Sequence, residues 1–296
     1  MKIGVLDVEL ALHFVQWTYL ICEIAWSMLT KKIAPIVNTV FHHVQFLLSV
    51  SFSVIKMHIL ILGATLEGLL SSLELHQQGH RISLVDLEAE FGMPTNHPGR
   101  VLEIDKLKNM LSPSEIAFLN FHQNEDGWGF RFEWLMKFLG AQCAKVGIEC
   151  YLRTRLISIT RQEEQLYAQL SNNERTIPAE LLVDTVIDCT QKETAYPGHL
   201  SHQFDPNLVS RLSGPSTCKW VGGLALREDV ENQSPKSELL LERADGLVEL
   251  WWLRQANWQP RTGFLEKMTA HLPPDKEEVS FDAVQIKVKS FLSTIV

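Results

Sequence analysis

Two glycines and an acid are the residues whose spacing carries chemistry in this sequence. Gly63 and Gly68 bracket the run Gly63-Ala64-Thr65-Leu66-Glu67-Gly68, and Asp86 follows Gly68 by 18 residues. A glycine turn that opens a helix can press backbone amides against an anion, because glycine has no Cβ and the helix N-terminus carries partial positive charge. An acid about 20 residues on, at the tip of the next strand, accepts hydrogen bonds from ribose hydroxyls. Together these are the parts of a site for a pyrophosphate and its adenosine. The pattern Gly-x-Gly-x-x-Gly is met at its first and third glycines, while Thr65 stands in the middle, where the phosphates approach closest.

Such residues need a strand, a helix and a second strand to hold them. The continuous apolar run 58–62 predicts a buried parallel strand. Leu66, Leu69, Leu70 and Leu73 fall at i, i+3, i+4 and i+7, which predicts a helix over 66–78 closed by Gly79. Residues 81–86 (RISLVD) predict the second strand with the acid at its end. An irregular stretch then runs over 91–124, with Pro94, Pro98, Gly99 and Pro113. A helix over 130–145, with Phe132, Leu135, Met136 and Leu139 on one face, leads to a strand over 148–152. Short β runs follow at 155–160, 165–170 and near 175–177, and an apolar strand over 181–187 ends in Asp188-Cys189-Thr190. Farther on, 219–226 and 247–253 predict strands of a second sheet, with a last helix over 281–292 packed on it. Trp220, Trp251, Trp252 and Trp258 offer apolar lining for a substrate, although large aromatics on strands more often build core.

This order of helix, strand, meander and returning strand resembles FAD-dependent oxidoreductases of the glutathione-reductase and hydroxybenzoate-hydroxylase type, from residue 57 to about 191. In that family the returning strand ends in a small-Thr-Gly signature beside the cofactor. Val186 to Gln191 (VIDCTQ) is similar, with Gln191 in place of the glycine. The resemblance implies an α/β fold: a Rossmann-like parallel sheet with a β-meander over 57–191, a smaller β-rich α+β substrate-type region over 192–296, and an apolar helical extension over 1–56. It implies FAD, or NAD(P) as the alternative, held at Gly63, Ala64, Thr65, Leu66, Glu67 and Gly68 through the pyrophosphate and at Asp86 through the ribose. Leu156, Thr190 and Gln191 complete the implied cofactor contacts.

It implies also an oxidoreductase or monooxygenase, if the chain is active, with a small apolar or aromatic substrate. In such enzymes the isoalloxazine carries the redox step, so no side chain is assigned a catalytic role. The family's third motif, a Gly-Asp near the C-terminus that meets the ribityl chain, has no counterpart here. Residues 192–296 offer Asp245-Gly246 in reversed order, so the chain reads as degenerate and truncated at its C-terminus. Two other readings stand beside this one: a non-catalytic relative serving as a binding or scaffold protein, and an NAD(P)-dependent reductase in which Asp86 disfavours the 2′-phosphate of NADP.

The remaining composition narrows the partners. A net charge of −8, with no Lys/Arg run longer than Lys31-Lys32, argues against a nucleic-acid partner held by phosphate contacts. Five scattered cysteines without a C-x-x-C pair read as free thiols of a cytoplasmic protein, with neither a disulfide framework nor a zinc site. His42-His43 point to different helix faces, so no metal is assigned. The first 56 residues are dense in apolar side chains and support three readings. Residues 8–55 form a membrane anchor or hairpin, through a stretch at 8–29 that includes Glu9 and Glu23 and a stretch at 33–55 without formal charge. Alternatively, they form a soluble helical pair packed on the domain. On the third reading they precede a natural start at Met57, one residue before the first strand, and need no functional account.

Overall fold

The computed structural model describes residues 17–18, 56–190, 205–212 and 217–295. Gln191 lies outside the described residues, as do the stretches at 8–29 and 33–55 apart from Trp17 and Thr18. Among the described residues no helix is long and apolar enough to cross a membrane.

The first strand, β1 (His58–Leu62), explains its own unbroken apolar sequence. Ile59 and Ile61 face a helical layer, while Leu60 and Leu62 face a layer of antiparallel strands, so both sides of the pleat are dry. The helix α1 (Leu66–Gln77) follows the glycine turn and buries Leu66, Leu69 and Leu70. It ends ahead of Gly79, whose φ of +93° suits a residue without Cβ. The strand β2 (Arg81–Val85) then lies parallel to β1, pairing His58 with Arg81 and Leu62 with Val85, and leaves Asp86 just beyond its end.

The stretch expected to be irregular holds short elements instead: β3 (Arg100–Val101), α2 (Ile104–Lys108), α3 (Pro113–Phe118), β4 (His122–Asn124) and β5 (Gly127–Gly129). Three of them make a small sheet in the order β3-β5-β4. None is long enough to show a period. Pro113 opens a helix rather than breaking one: it sits behind Ser112, which forms a capping box with Glu115. The helix α4 (Phe132–Lys145) buries Phe132, Leu135, Met136 and Leu139 as its spacing predicts, and β6 (Glu149–Tyr151) joins the edge of the parallel sheet.

The meander is β7 (Arg155–Gln162), β8 (Gln165–Ser171) and β9 (Glu180–Val183), so its third strand is not at 175–177. The single strand expected over 181–187 is two: β9 pairs antiparallel with β8, and β10 (Thr185–Asp188) pairs parallel with β1. Asp184 makes the break. Its carboxylate accepts from the His58 amide at 2.6 Å, and its own amide donates to the His58 carbonyl at 2.8 Å. With β11 (Val209–Arg211), the parallel sheet reads β11-β10-β1-β2-β6.

A four-stranded antiparallel sheet follows, in the order β13-β14-β12-β15, from β12 (Cys218–Leu226), β13 (Leu239–Glu242), β14 (Leu247–Leu253) and β15 (Glu266–Leu272), with α5 (Arg227–Gln233) after β12. Its faces are closed by aromatics: Trp251 lies against Gly222 and Phe264 against Gly223. Trp220, Trp251 and Trp252 are fully buried core, whereas Trp258 hydrogen-bonds Gln233 at 2.7 Å. The last helix, α6 (Phe281–Leu292), packs on α1 and not on this sheet. Phe281, Val284, Val288 and Leu292 join the cluster of Leu66, Leu69 and Leu139, and Ile286 is 63% exposed. Periodicity names a helix's apolar face but not the surface it will meet.

Candidate functional site

The sheet order defines where a ligand can sit. From β1 the chain moves outward through β2 to β6, then returns to place β10 on the other side of β1. In an open α/β sheet the crevice beyond the carboxyl ends of the strands at such a reversal is where ligands bind. Gly63 leaves β1 there, Cys189 and Thr190 leave β10 there, and Asp86 leaves the neighbouring β2. Residues 124 apart in sequence meet at this point through the hydrogen bond between Thr65 and Cys189.

Each glycine of the turn has a structural reason. Gly63 adopts φ +97°, and a Cβ on it would lie 3.1 Å from the Thr190 Cα. A Cβ on Gly68 would lie 1.9 Å from the Gly63 carbonyl oxygen, so α1 can start this close to β1 only without a side chain there. Thr65 is the N-cap of α1. Its hydroxyl oxygen accepts from the Gly68 amide at 3.2 Å and donates to the Cys189 carbonyl at 2.9 Å.

Asp86 is only 7% exposed and faces the turn: one carboxylate oxygen accepts from the Ala64 amide, the other from the Glu88 amide at 2.9 Å. Thr190 donates both its hydroxyl, at 2.7 Å, and its amide, at 2.9 Å, to Asp188, whose second oxygen meets Arg211 at 3.3 Å. Glu67 is buried in the first turn of α1, 3.8 Å from the Lys287 ammonium on α6. Leu66 is buried under α1, and Leu156 is wholly buried on the meander side of the sheet beside Leu60 and Val85. The expected residues thus divide. Gly63, Ala64, Thr65, Gly68, Asp86 and Thr190 are joined by close contacts or hydrogen bonds, whereas Leu66 and Leu156 face core.

Glycines at positions 63 and 68 leave the backbone of the turn without side chains, as the approach of an ADP pyrophosphate would require. The Gly68 amide, however, is engaged by Thr65. A cavity of about 450 Å³ lies elsewhere, between α1, α4 and α6, lined by Leu70, Leu73, Met110, Gln142, Val288 and Lys289.

Sequence reasoning passed over the polar groups next to the turn. His97 is buried, stacks on Phe132 with ring centroids 5.2 Å apart, and donates from Nδ1 to the Pro98 carbonyl at 2.8 Å. Burial holds its pKa below the usual 6.5, opposed in part by Glu67, the Pro98 carbonyl and Glu249. A histidine with a lowered folded pKa contributes fully above 6.5; as pH falls below that value the unfolded chain gains a proton the folded chain resists, and stability declines. Unfolding midpoints measured across about pH 5 to 8 are expected to fall on the acid side, and His97→Gln to flatten that fall. The residual slope belongs to His58 and His80, which burial also lowers. An unchanged slope in the variant would exclude His97 as its source.

No family model and no curated protein matches the sequence. Solved structures do. The chain is similar to a flavoprotein/dehydrogenase from Cytophaga hutchinsonii, with 12% identity and a TM-score of 0.51 over 80% of this chain and 77% of that one. It is similar also to p-nitrophenol 4-monooxygenase PnpA from Pseudomonas putida DLL-E4, with 10% identity and a TM-score of 0.50 over 73% of this chain and 68% of that one. In the FqzB crystal structure the matched part is 54% of that chain. The chain therefore shares the Rossmann-type α/β fold of these two proteins, with Thr65 between the two glycines of its first turn.

Proposed function

We propose that the protein is an FAD-dependent oxidoreductase-like protein that holds the ADP end of the cofactor at the turn Gly63–Gly68. The observation that supports this reading is the convergence of Gly63, Asp86 and Thr190 at the strand-order reversal between β1 and β10, where an α/β sheet binds nucleotides. Asp86 is the ribose acceptor and the amides at the start of α1 face the pyrophosphate; Thr190 lines the β10 side. Bound FAD would supply the electron transfer through its isoalloxazine. On this reading residues 57–191 are the nucleotide-binding part and 192–296 the substrate-type part, with α6 crossing back onto the first. The substrate class is a small apolar or aromatic molecule.

A second reading, a non-catalytic relative with a binding or scaffold role, is favoured by one specific feature. Thr65 and Asp86 already hydrogen-bond the Gly68 and Ala64 amides of the turn. Calorimetric titration separates the two. On the first reading ADP and FAD bind competitively, NADH does not displace them, and Asp86→Ala weakens both by about tenfold or more, the scale of a lost charge-assisted hydrogen bond. Displacement by NADH would point to a nicotinamide-dependent reductase. Absence of binding by either adenine nucleotide would leave the non-catalytic reading.

A further inference from the structure

We propose that Thr65 sets nucleotide affinity at the turn by acting as an internal competitor for the Gly68 amide, an inference that rests on reading the turn as the nucleotide site. The three glycine positions of the fingerprint are not equivalent in this chain. Gly63 and Gly68 are required by the packing of the turn itself: one has a positive φ, and at the other a Cβ would strike backbone. Position 65 has neither constraint. Thr65 has φ −72° and ψ 173°, an extended conformation open to any residue, so its side chain is tolerated without strain.

What that side chain does is take up a donor. The hydroxyl accepts the Gly68 amide at 3.2 Å and passes its own proton to the Cys189 carbonyl at 2.9 Å. Gly68 is the third residue of α1, so this amide is one of the helix-start donors that would otherwise face a phosphate oxygen. The second of these bonds joins the turn after β1 to the end of β10. Thr65 therefore strengthens the crevice and weakens it as an anion site through one hydroxyl. A diphosphate must either displace that hydroxyl or bind without the amide.

The consequence is that stability and affinity move in opposite directions on substitution, which a merely structural role would not produce. The probe is ADP, titrated calorimetrically into the full chain, with unfolding midpoints recorded in parallel. Thr65→Gly is expected to bind ADP about tenfold more tightly than the parent and to melt at a lower temperature. Thr65→Ala, which removes the hydroxyl without adding backbone freedom, is expected to shift both readouts the same way and covers the case in which the glycine variant fails to fold. Thr65→Ser keeps the hydroxyl and both its bonds and is expected to stay within about threefold of the parent. Asp86→Ala in the Thr65→Gly background should return the gain, which ties it to this crevice.

The outcomes separate cleanly. If the serine variant gains as much as the glycine variant, the methyl group is the obstacle and the competition by the hydroxyl is wrong. If the parent binds ADP and neither the glycine nor the alanine variant binds it better, the competition is wrong while the nucleotide site stands. If no form of the chain binds ADP or FAD, the nucleotide site itself is wrong and the inference falls with it.

Discussion

Replacing Glu249 with alanine is expected to destabilise the protein by about 3–5 kcal/mol, the range for removing one partner of a buried ion pair. Glu249 is wholly buried in the middle of β14, and each of its oxygens is engaged. One accepts from Arg243 at 2.8 Å; the other accepts from the Trp251 indole at 2.6 Å and from the Gly99 amide at 3.1 Å. Without the carboxylate, the Arg243 guanidinium, 4% exposed, keeps an ion pair only with Glu133, at 4.0 Å, and the Trp251 and Gly99 donors lose their acceptor in a dry site.

Two companions make that figure diagnostic. Glu249→Gln keeps an acceptor for Trp251 and Gly99 but loses the charge, so it should fall between the parent and alanine. Glu249→Leu combined with Arg243→Met removes both charges and should cost less than Glu249→Ala alone, because the penalty comes from the stranded partner and not from the lost pair. Urea unfolding measures all three. A loss under about 1 kcal/mol for the alanine variant would mean that water reaches the site and that the pair does not tie the second sheet to the Gly99 loop.

This network also marks how far the sequence could be read. The strand β14 was legible from its β-type residues, yet only the fold supplies Arg243 and Gly99 as the partners of its buried Glu249. The βαβ unit was legible because everything that defines it is local: an apolar run, a leucine stripe, glycines where the turn is tight and an acid at a strand tip. The break at Asp184 was not, since apolar residues continue on both sides and the cause is a hydrogen-bond exchange with His58, 126 residues away. Thr65 was recognised as the odd residue of the fingerprint, but the bond that gives it a role reaches Cys189 across 124 residues. The partner of α6 was illegible for the same reason. Local periodicity fixes elements; long-range pairing decides which surfaces they share.

Gly68→Ala is the substitution at the turn expected to do most damage, roughly 3 kcal/mol or more, as overpacking does where the neighbour cannot yield. The added Cβ would sit 1.9 Å from the Gly63 carbonyl oxygen and 3.1 Å from its carbon, both backbone atoms. Gly63 has nowhere to go: its amide donates to the Val85 carbonyl at 2.8 Å, and a Cβ on it would already crowd the Cys189 carbonyl carbon at 3.2 Å. Relief must therefore come from tilting α1 away from β1, which pulls Leu66 and Leu69 out of the main core and separates the helix start from Asp86. Loss of ADP binding should accompany the loss of stability. Gly147→Ala is the matched control. Gly147 has φ +90° but nothing within 4 Å of a Cβ, so alanine there meets only the left-handed backbone penalty of roughly 1–2 kcal/mol. If the two variants proved equally stable, the close approach of α1 to β1 would be elastic, and a larger residue at position 68 would be no obstacle to a nucleotide site built on this turn.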